Sequence, residues 1–320
     1  LDMGVDGFRE DVITFISKKE GLPDDYIMPA AKGFGYFNHG PHLHEYLKEF
    51  KDDVFSHYDC MTLAEAPMIS PKKALKYIDE TADPVLDMMI QFSTQEADCL
   101  FTDFVHTPFS LRKLKRAFSS WQKGLEGKGW NMLYIENHDH PRMVSRYGSE
   151  KYREASAKML AVSYMFLKGT PFVYQGQEIG MSNWYPYDPE MYEDVQTRWQ
   201  YFNVGTKKSP EKSNVALQEQ DADSILNFYR KAIKLRKELS CVRHGNYVEY
   251  NKSSSKLYVY VREDANQKIL VVCSYSEGME EFKVPAGFDL SKAQLVLNNY
   301  DGSSTSVLKP YEARVYLYQK

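Results

Sequence analysis

From Gly7 to Leu239 the chain alternates short apolar runs with longer amphipathic segments, and few folds accept that alternation. The apolar runs are "DGFRED" around Phe8, "CMTLAEA" at Met61 to Glu65, "LDMMIQF" at Leu86 to Phe92, "NMLYIENHD" at Met132 to Ile135 and "TPFVYQGQE" at Phe172 to Tyr174. Between them, "HLHEYLKEFKDDVF", "SPKKALKYIDETA", "SLRKLKRAFSSWQKGL" and "KYREASAKMLAVSYMFL" carry apolar residues at helical spacing, and "DADSILNFYRKAIKLRKEL" supplies a last helix after Asp223. Pro41 and the Ser70-Pro71 pair mark the starts of the first two helices. Strand followed by helix, repeated, predicts a parallel sheet with crossover helices.

After Leu239 the texture changes. The segments "NYVEY", "KLYVYVRE", "KILVVCSY", "EEFKVP", "AQLVLNN" and "ARVYLYQ" are separated by turn-rich stretches such as "NKSSSK" and "NNYDGSS". This spacing predicts a separate antiparallel β-sandwich, dividing the chain into an α/β part (1–240) and a β-sandwich (241–320).

A chain of 320 residues with 43% hydrophobic and 26% charged content is long enough for a large core plus a second domain. A formal net charge of -4 without a long basic run disfavours nucleic acid or an anionic membrane as partner and leaves a neutral small molecule as the expected one. The apolar run "MLAVSYMFL" from Met159 to Leu167 falls well short of the roughly 18 residues a membrane span needs. Cys60, Cys99, Cys241 and Cys273 lack metal-ligand spacing, which suggests core thiols in a reducing, cytoplasmic setting. The chain opens on Leu1 with no initiator Met, a few residues before a strand, and so reads as part of a longer protein.

In a barrel of parallel strands the C-terminal strand ends build the active site, and here those ends carry Asp11, Glu65 and Asp139. Arg9 and Asp11, two apart on a strand, share one face, so the guanidinium holds the carboxylate ionised and aimed. An ordinary ion pair at a strand end accounts for that decapeptide equally well. Glu65 follows an apolar strand, where burial raises a carboxyl's pKa and suits it to general-acid work, although a glutamate so placed is often structural. "ENHDHPR" at Glu136 to Arg142 is more polar than a turn requires. His138, Asp139 and His140 could ligate a metal, but neighbours on an extended strand point alternately away and no distant His or thiolate motif accompanies them.

Four ordered stretches, "GVDGFREDVI", "TLAEAP", "ENHDHPRMVSRYG" and "GTPFVYQGQEIGMSN", resemble the later signatures of the α-amylase family of glycoside hydrolases, within its oligo-1,6-glucosidase and α-glucosidase branch. The resemblance implies the fourth to eighth strands of a (β/α)8 TIM barrel followed by a C-terminal antiparallel β-sandwich. It implies a retaining α-glucosidase acting on terminal α-1,6 or α-1,4 bonds of short oligosaccharides such as isomaltose. By the same resemblance Asp11 is the nucleophile, Glu65 the acid/base and Asp139 the acid that holds sugar hydroxyls. Arg9, His138, Val12 and Arg142 are then substrate-side residues, and members with Val at the position of Val12 favour α-1,6 bonds. No cofactor is implied for these residues, and the family's calcium loop belongs to the part that precedes them.

The sequence departs from the family in three places. It starts at what resembles the fourth strand, and since five strands cannot close a barrel, turnover is not expected of these residues alone. Relatives carry a segment like A-R-T-P-M-Q-W before the last barrel helix. Here "YEDVQTRWQYFNVGTKKSPEKSNVALQEQ" lacks it, and Arg198 is no convincing substitute. Ala64 stands where relatives usually have Gly. Two other readings stay open: a trehalose-6-phosphate hydrolase or glucosyl-transferring relative, and a non-catalytic scaffold.

Overall fold

The computed structural model describes residues 1–21, 23–25, 32–100, 105–183, 214–302 and 306–320, which fall into two compact units. The first comprises Leu1–Ser93 with Ser120–Met132, and the second Thr94–Ser119 with Leu133–Lys320.

In the first unit, β1 (Gly7–Glu10), β2 (Met61–Glu65) and β3 (Met88–Ile90) form a parallel sheet in chain order. Gly7 lies opposite Met61 and Leu63 opposite Met88. Two helices follow from the amphipathic segments after a short α1 (Phe34–Phe37): α2 (Leu43–Asp53) links β1 to β2, and α3 (Pro71–Ile78) links β2 to β3. Ser70 caps α3 by accepting from the Lys73 amide at 3.3 Å, and Pro71 occupies the first turn, where a missing N–H costs nothing. Leu43, Leu47, Ala74, Ile78, Met89 and Trp121 share one core. At Gly124 an added Cβ would lie 2.3 Å from the Pro71 ring, so that position must be glycine for α4 (Leu111–Gly124) to approach α3.

In the second unit a two-residue β4 (Cys99–Leu100) pairs with β5 (Val105–His106), and β6 (Met132–Leu133), which enters this unit at Leu133, pairs with β7 (Thr170–Pro171). The last expected strand therefore occupies the two residues immediately before Phe172–Tyr174. The Phe172 amide still reaches Leu133 O at 2.8 Å, but the Tyr174 amide turns to Gln177 Oε1 and the ladder stops. A short α5 (Met143–Arg146) precedes α6 (Arg153–Met165), whose residues Ser156 to Met165 are all buried. A helix apolar all round must be enclosed on every side. Here the Ile225–Glu238 helix lies on one side, and strands of the terminal sheet lie on another.

That sheet has five antiparallel strands in the order β12 (Gln294–Asn298), β14 (Ala313–Gln319), β10 (Gln267–Ser274), β9 (Leu257–Glu263), β8 (Asn246–Tyr250). Tyr258, Tyr260, Val271 and Val315 face the α6 core, and Val259, Val261, Leu270 and Val272 face Phe282, Phe288 and Leu308. The antiparallel character agrees with the sequence. Among the described residues the second layer is smaller than a sandwich implies, holding β11 (Glu280–Glu281) and β13 (Val307–Leu308) with adjoining loop residues. The change of texture after residue 240 falls at the Ser240–His244 helix, inside the second unit.

Buried cations close the ends of this unit's elements. Arg236, 7% exposed, donates to the carbonyls of Met165, Leu167 and Gly169 at and just after the end of α6. Lys115, 1% exposed, donates to Asn251 O, Ser254 O and Leu257 O at 2.7, 2.9 and 3.1 Å. Truncating such a donor leaves several buried acceptors unmade. Arg236→Leu is expected to lower the free energy of unfolding by about 3 kcal/mol, read from urea titration, with Arg236→Lys losing less. A loss below about 0.5 kcal/mol contradicts the role assigned to this guanidinium.

Candidate active site

Gly7 lets the backbones of β1 and β2 approach closely, since an added Cβ would lie 2.2 Å from Met61 O. This sets Arg9 beside the end of β2. Its guanidinium pairs with Asp11 Oδ1 through one nitrogen and with Glu65 Oε1 through the other, at 2.8 Å. Glu65 is also hydrogen-bonded to the Asp11 side chain. The expected Arg9–Asp11 pair is therefore present, and it is part of a three-residue bridge rather than a local strand-end pair.

The two carboxyls sit in unequal settings. The Glu65 side chain is 5% exposed and that of Asp11 70%. Burial pushes the Glu65 carboxyl above its ordinary range, and the hydrogen bond to Asp11 adds to this against the pull of Arg9 and the Val12 amide. A hydrogen bond between the carboxyls sets them closer than the ~6.5–9.5 Å that leaves room for an inverting water, and closer also than the ~5–5.5 Å of retaining pairs.

Val12 does not continue the strand. Its backbone is left-handed, with φ 36° and ψ 41°, and opens the short turn Ile13–Phe15. A β-branched residue rarely adopts this conformation, which costs of order 1–3 kcal/mol. The turn aims the Val12 amide at Glu65 Oε2, 3.1 Å away. Because β1 ends at Glu10, Val12 follows the strand and strand alternation does not set its direction.

Glu10 was missed from the sequence. Burial, with Asp87 nearby, pushes its carboxyl up to about 7, and its Oε2 is buried with no hydrogen-bond partner among the described residues. An acid wedged between Arg9 and Asp11 on an alternating strand was the available signal.

The second unit places His138 and Asp139 in the turn after β6. His138 Nε2 lies 3.2 Å from Asp139 Oδ2. Asn137 Oδ1 accepts from the Asp139 amide at 3.1 Å and from His140 Nδ1 at 2.7 Å, which turns His140 inward to 3% exposure. Among the described residues no three His, Cys, Asp or Glu side chains gather to hold a metal ion. Arg142 was expected on the substrate side, but it is 6% exposed and its guanidinium contacts Glu136 Oε1 at 2.8 Å and Gln175 O at 2.7 Å. Arg198, and with it most of the stretch from Tyr192 to Gln220, lies outside the described residues.

The pH dependence follows from Glu10. Its folded pKa lies above the unfolded value near 4.5, so the native state holds the proton more tightly. The resulting stability is fully present below pH 4.5 and is lost as pH rises through about 7. Glu10→Gln should raise stability at pH 8 by up to about 2 kcal/mol after solvent screening and flatten the dependence between pH 5 and 8, as followed by urea titration. An unchanged slope would show that Glu10 is not the titrating group.

A family model described as "Alpha amylase, catalytic domain" matches residues 1–245. The oligo-1,6-glucosidase of Halalkalibacterium halodurans is 38% identical over 370 aligned positions, covering 99% of this chain and 66% of that protein. Because the chain has 320 residues, at least 50 of those positions have no counterpart in it. The trehalose-6-phosphate hydrolase of Bacillus subtilis is 32% identical, over 99% of this chain and 65% of its own length. The crystal structure of the Bacillus licheniformis trehalose-6-phosphate hydrolase superposes with a TM-score of 0.88 at 33% identity, covering 100% of this chain and 66% of that one. The chain thus spans just under two thirds of the length of these relatives.

Proposed function

The chain belongs to the α-amylase family, and from that premise we propose that it carries the catalytic carboxyls of a retaining α-glucosidase that releases glucose from terminal α-1,6 bonds of short oligosaccharides such as isomaltose. The observation that carries the reading is the Arg9 bridge, which holds one exposed and one buried carboxyl in contact. Paired carboxyls whose surroundings push their pKa values apart can divide the work of nucleophile and acid.

Asp11, exposed and held by Arg9, attacks the anomeric carbon and forms a glucosyl ester. Glu65, whose carboxyl burial pushes toward the neutral form, gives its proton to the leaving glycosidic oxygen. It then takes a proton from water as that water opens the ester, so the anomeric configuration is retained. The transition state is oxocarbenium-like and positive, and the carboxylates stabilise it. Asp139 and His138 take the hydroxyl-binding role that their resemblance to the family assigns. The chemistry needs no cofactor, because the two carboxyls supply nucleophile and proton. Four free cysteines, three of them buried, support a cytoplasmic location.

A second reading, hydrolysis of a phosphorylated disaccharide, is favoured by the likeness to the B. licheniformis trehalose-6-phosphate hydrolase structure. Assaying trehalose 6-phosphate against isomaltose on the full-length protein separates the two.

Linkage preference rests on Val12, whose amide is held by Glu65. A β-branched apolar side chain beside the leaving sugar suits the flexible exocyclic link of isomaltose, a discrimination of roughly 1–3 kcal/mol. The full-length enzyme is expected to favour isomaltose over maltose by kcat/KM. Val12→Thr should move that ratio toward maltose while the p-nitrophenyl α-glucoside rate stays within a few-fold. Faster maltose hydrolysis by the wild type, or an unmoved ratio, removes Val12 as the selector.

A further inference from the structure

The turn from Asn137 to Pro141 contains little regular structure, yet its two ends are tied to a single buried carboxyl group. Glu136 is 2% exposed. Its Oε1 accepts from the Arg142 guanidinium at 2.8 Å and its Oε2 from the Met143 amide at 2.7 Å. One residue before the turn thus grips the two residues that follow it.

Arg142 carries the grip outward. The guanidinium nitrogen that meets Glu136 also donates to Gln175 O at 2.7 Å, and the group lies 4.5 Å from the Tyr174 ring centroid. This fastens the turn after β6 to the loop after β7. The Arg142 amide donates to Asn183 Oδ1 at 2.7 Å, and the Asn183 amide donates to Ser145 Oγ at 2.9 Å. Burial favours the neutral carboxyl and pushes Glu136 upward, with Glu178 adding to it. Arg142 and the Met143 amide oppose that push by favouring the ionised form.

We propose that Glu136 and Arg142 are positioning residues that brace the Asn137–Pro141 turn and thereby fix the direction of His138 and Asp139. The catalytic part of this inference rests on the glucosidase reading; the geometric part does not. A carboxylate offers acceptors to two donors at once. A glutamine offers one acceptor and an NH2 that confronts the second donor, so Glu136→Gln keeps the shape and breaks half the grip. Arg142→Lys keeps the charge but cannot reproduce the flat guanidinium beside Tyr174.

The test uses the full-length protein with two readouts, the imidazole signals of His138 and His140 by NMR and turnover of p-nitrophenyl α-glucoside. For Glu136→Gln, both imidazole signals are expected to shift and kcat to fall at least ten-fold, with KM within three-fold. Activity should rank wild type above Arg142→Lys and Arg142→Lys above Arg142→Met, which also serves if Glu136→Gln fails to fold. Unmoved imidazole signals in a folded variant overturn the brace, whatever happens to the rate. Shifted signals without a loss of kcat in an active enzyme overturn its catalytic role. A wild type without turnover defeats the glucosidase reading, and the imidazole shifts then decide the brace alone.

Discussion

A guanidinium between two carboxyls is the constraint on which the first unit's site depends. Asp11 and Glu65 are in hydrogen-bonding contact, and two bare carboxylates so close would repel. Arg9 offsets one charge by pairing with both, and burial reduces the other by keeping Glu65 toward its protonated form. The parallel pairing of β1 with β2 puts Arg9 opposite Leu63, two residues before Glu65, so the guanidinium reaches both acids from one strand position. The strained backbone at Val12 belongs to the same arrangement, since it delivers an amide to the remaining Glu65 oxygen.

The second unit applies similar physics to its own buried cations. Arg236, Lys115 and Arg142 are long cations drawn inside, each meeting backbone carbonyls that regular structure leaves unmade. A buried charge is tolerated only when its donors are matched, so each such residue fixes the chain segments that supply its acceptors. This is how the largely buried α6 and a sheet covered on both faces are joined by irregular connections.

Much of this was legible from residue order. The strand at Met61–Glu65, the helix starting at Ser70-Pro71 and the helix after Asp223 follow from local pattern and capping chemistry. Where tertiary partners decide, local pattern failed. The end of β7 depends on a glutamine side chain that captures the Tyr174 amide. The central strands β9 and β10 of the terminal sheet are buried on both faces, so they lack the alternation that would have shown helices covering one side. Arg9, Asp11 and Glu65 were visible as candidates, but not the bridge that joins them. Arg142 was read as facing substrate because nothing local announces that Glu136, six residues earlier, turns it inward. Glu10 was overlooked because strand alternation set it apart from Arg9 and Asp11.

The central claim is that Asp11 forms the covalent bond while Glu65 moves the proton. Incubating the full-length protein with 5-fluoro-α-D-glucosyl fluoride, which forms the glucosyl ester faster than water removes it, and sequencing the labelled peptide by mass spectrometry tests this directly. The account predicts a fluoroglucosyl ester on Asp11. A label on Glu65 or Asp139, or product released with inverted configuration and no label, would contradict it.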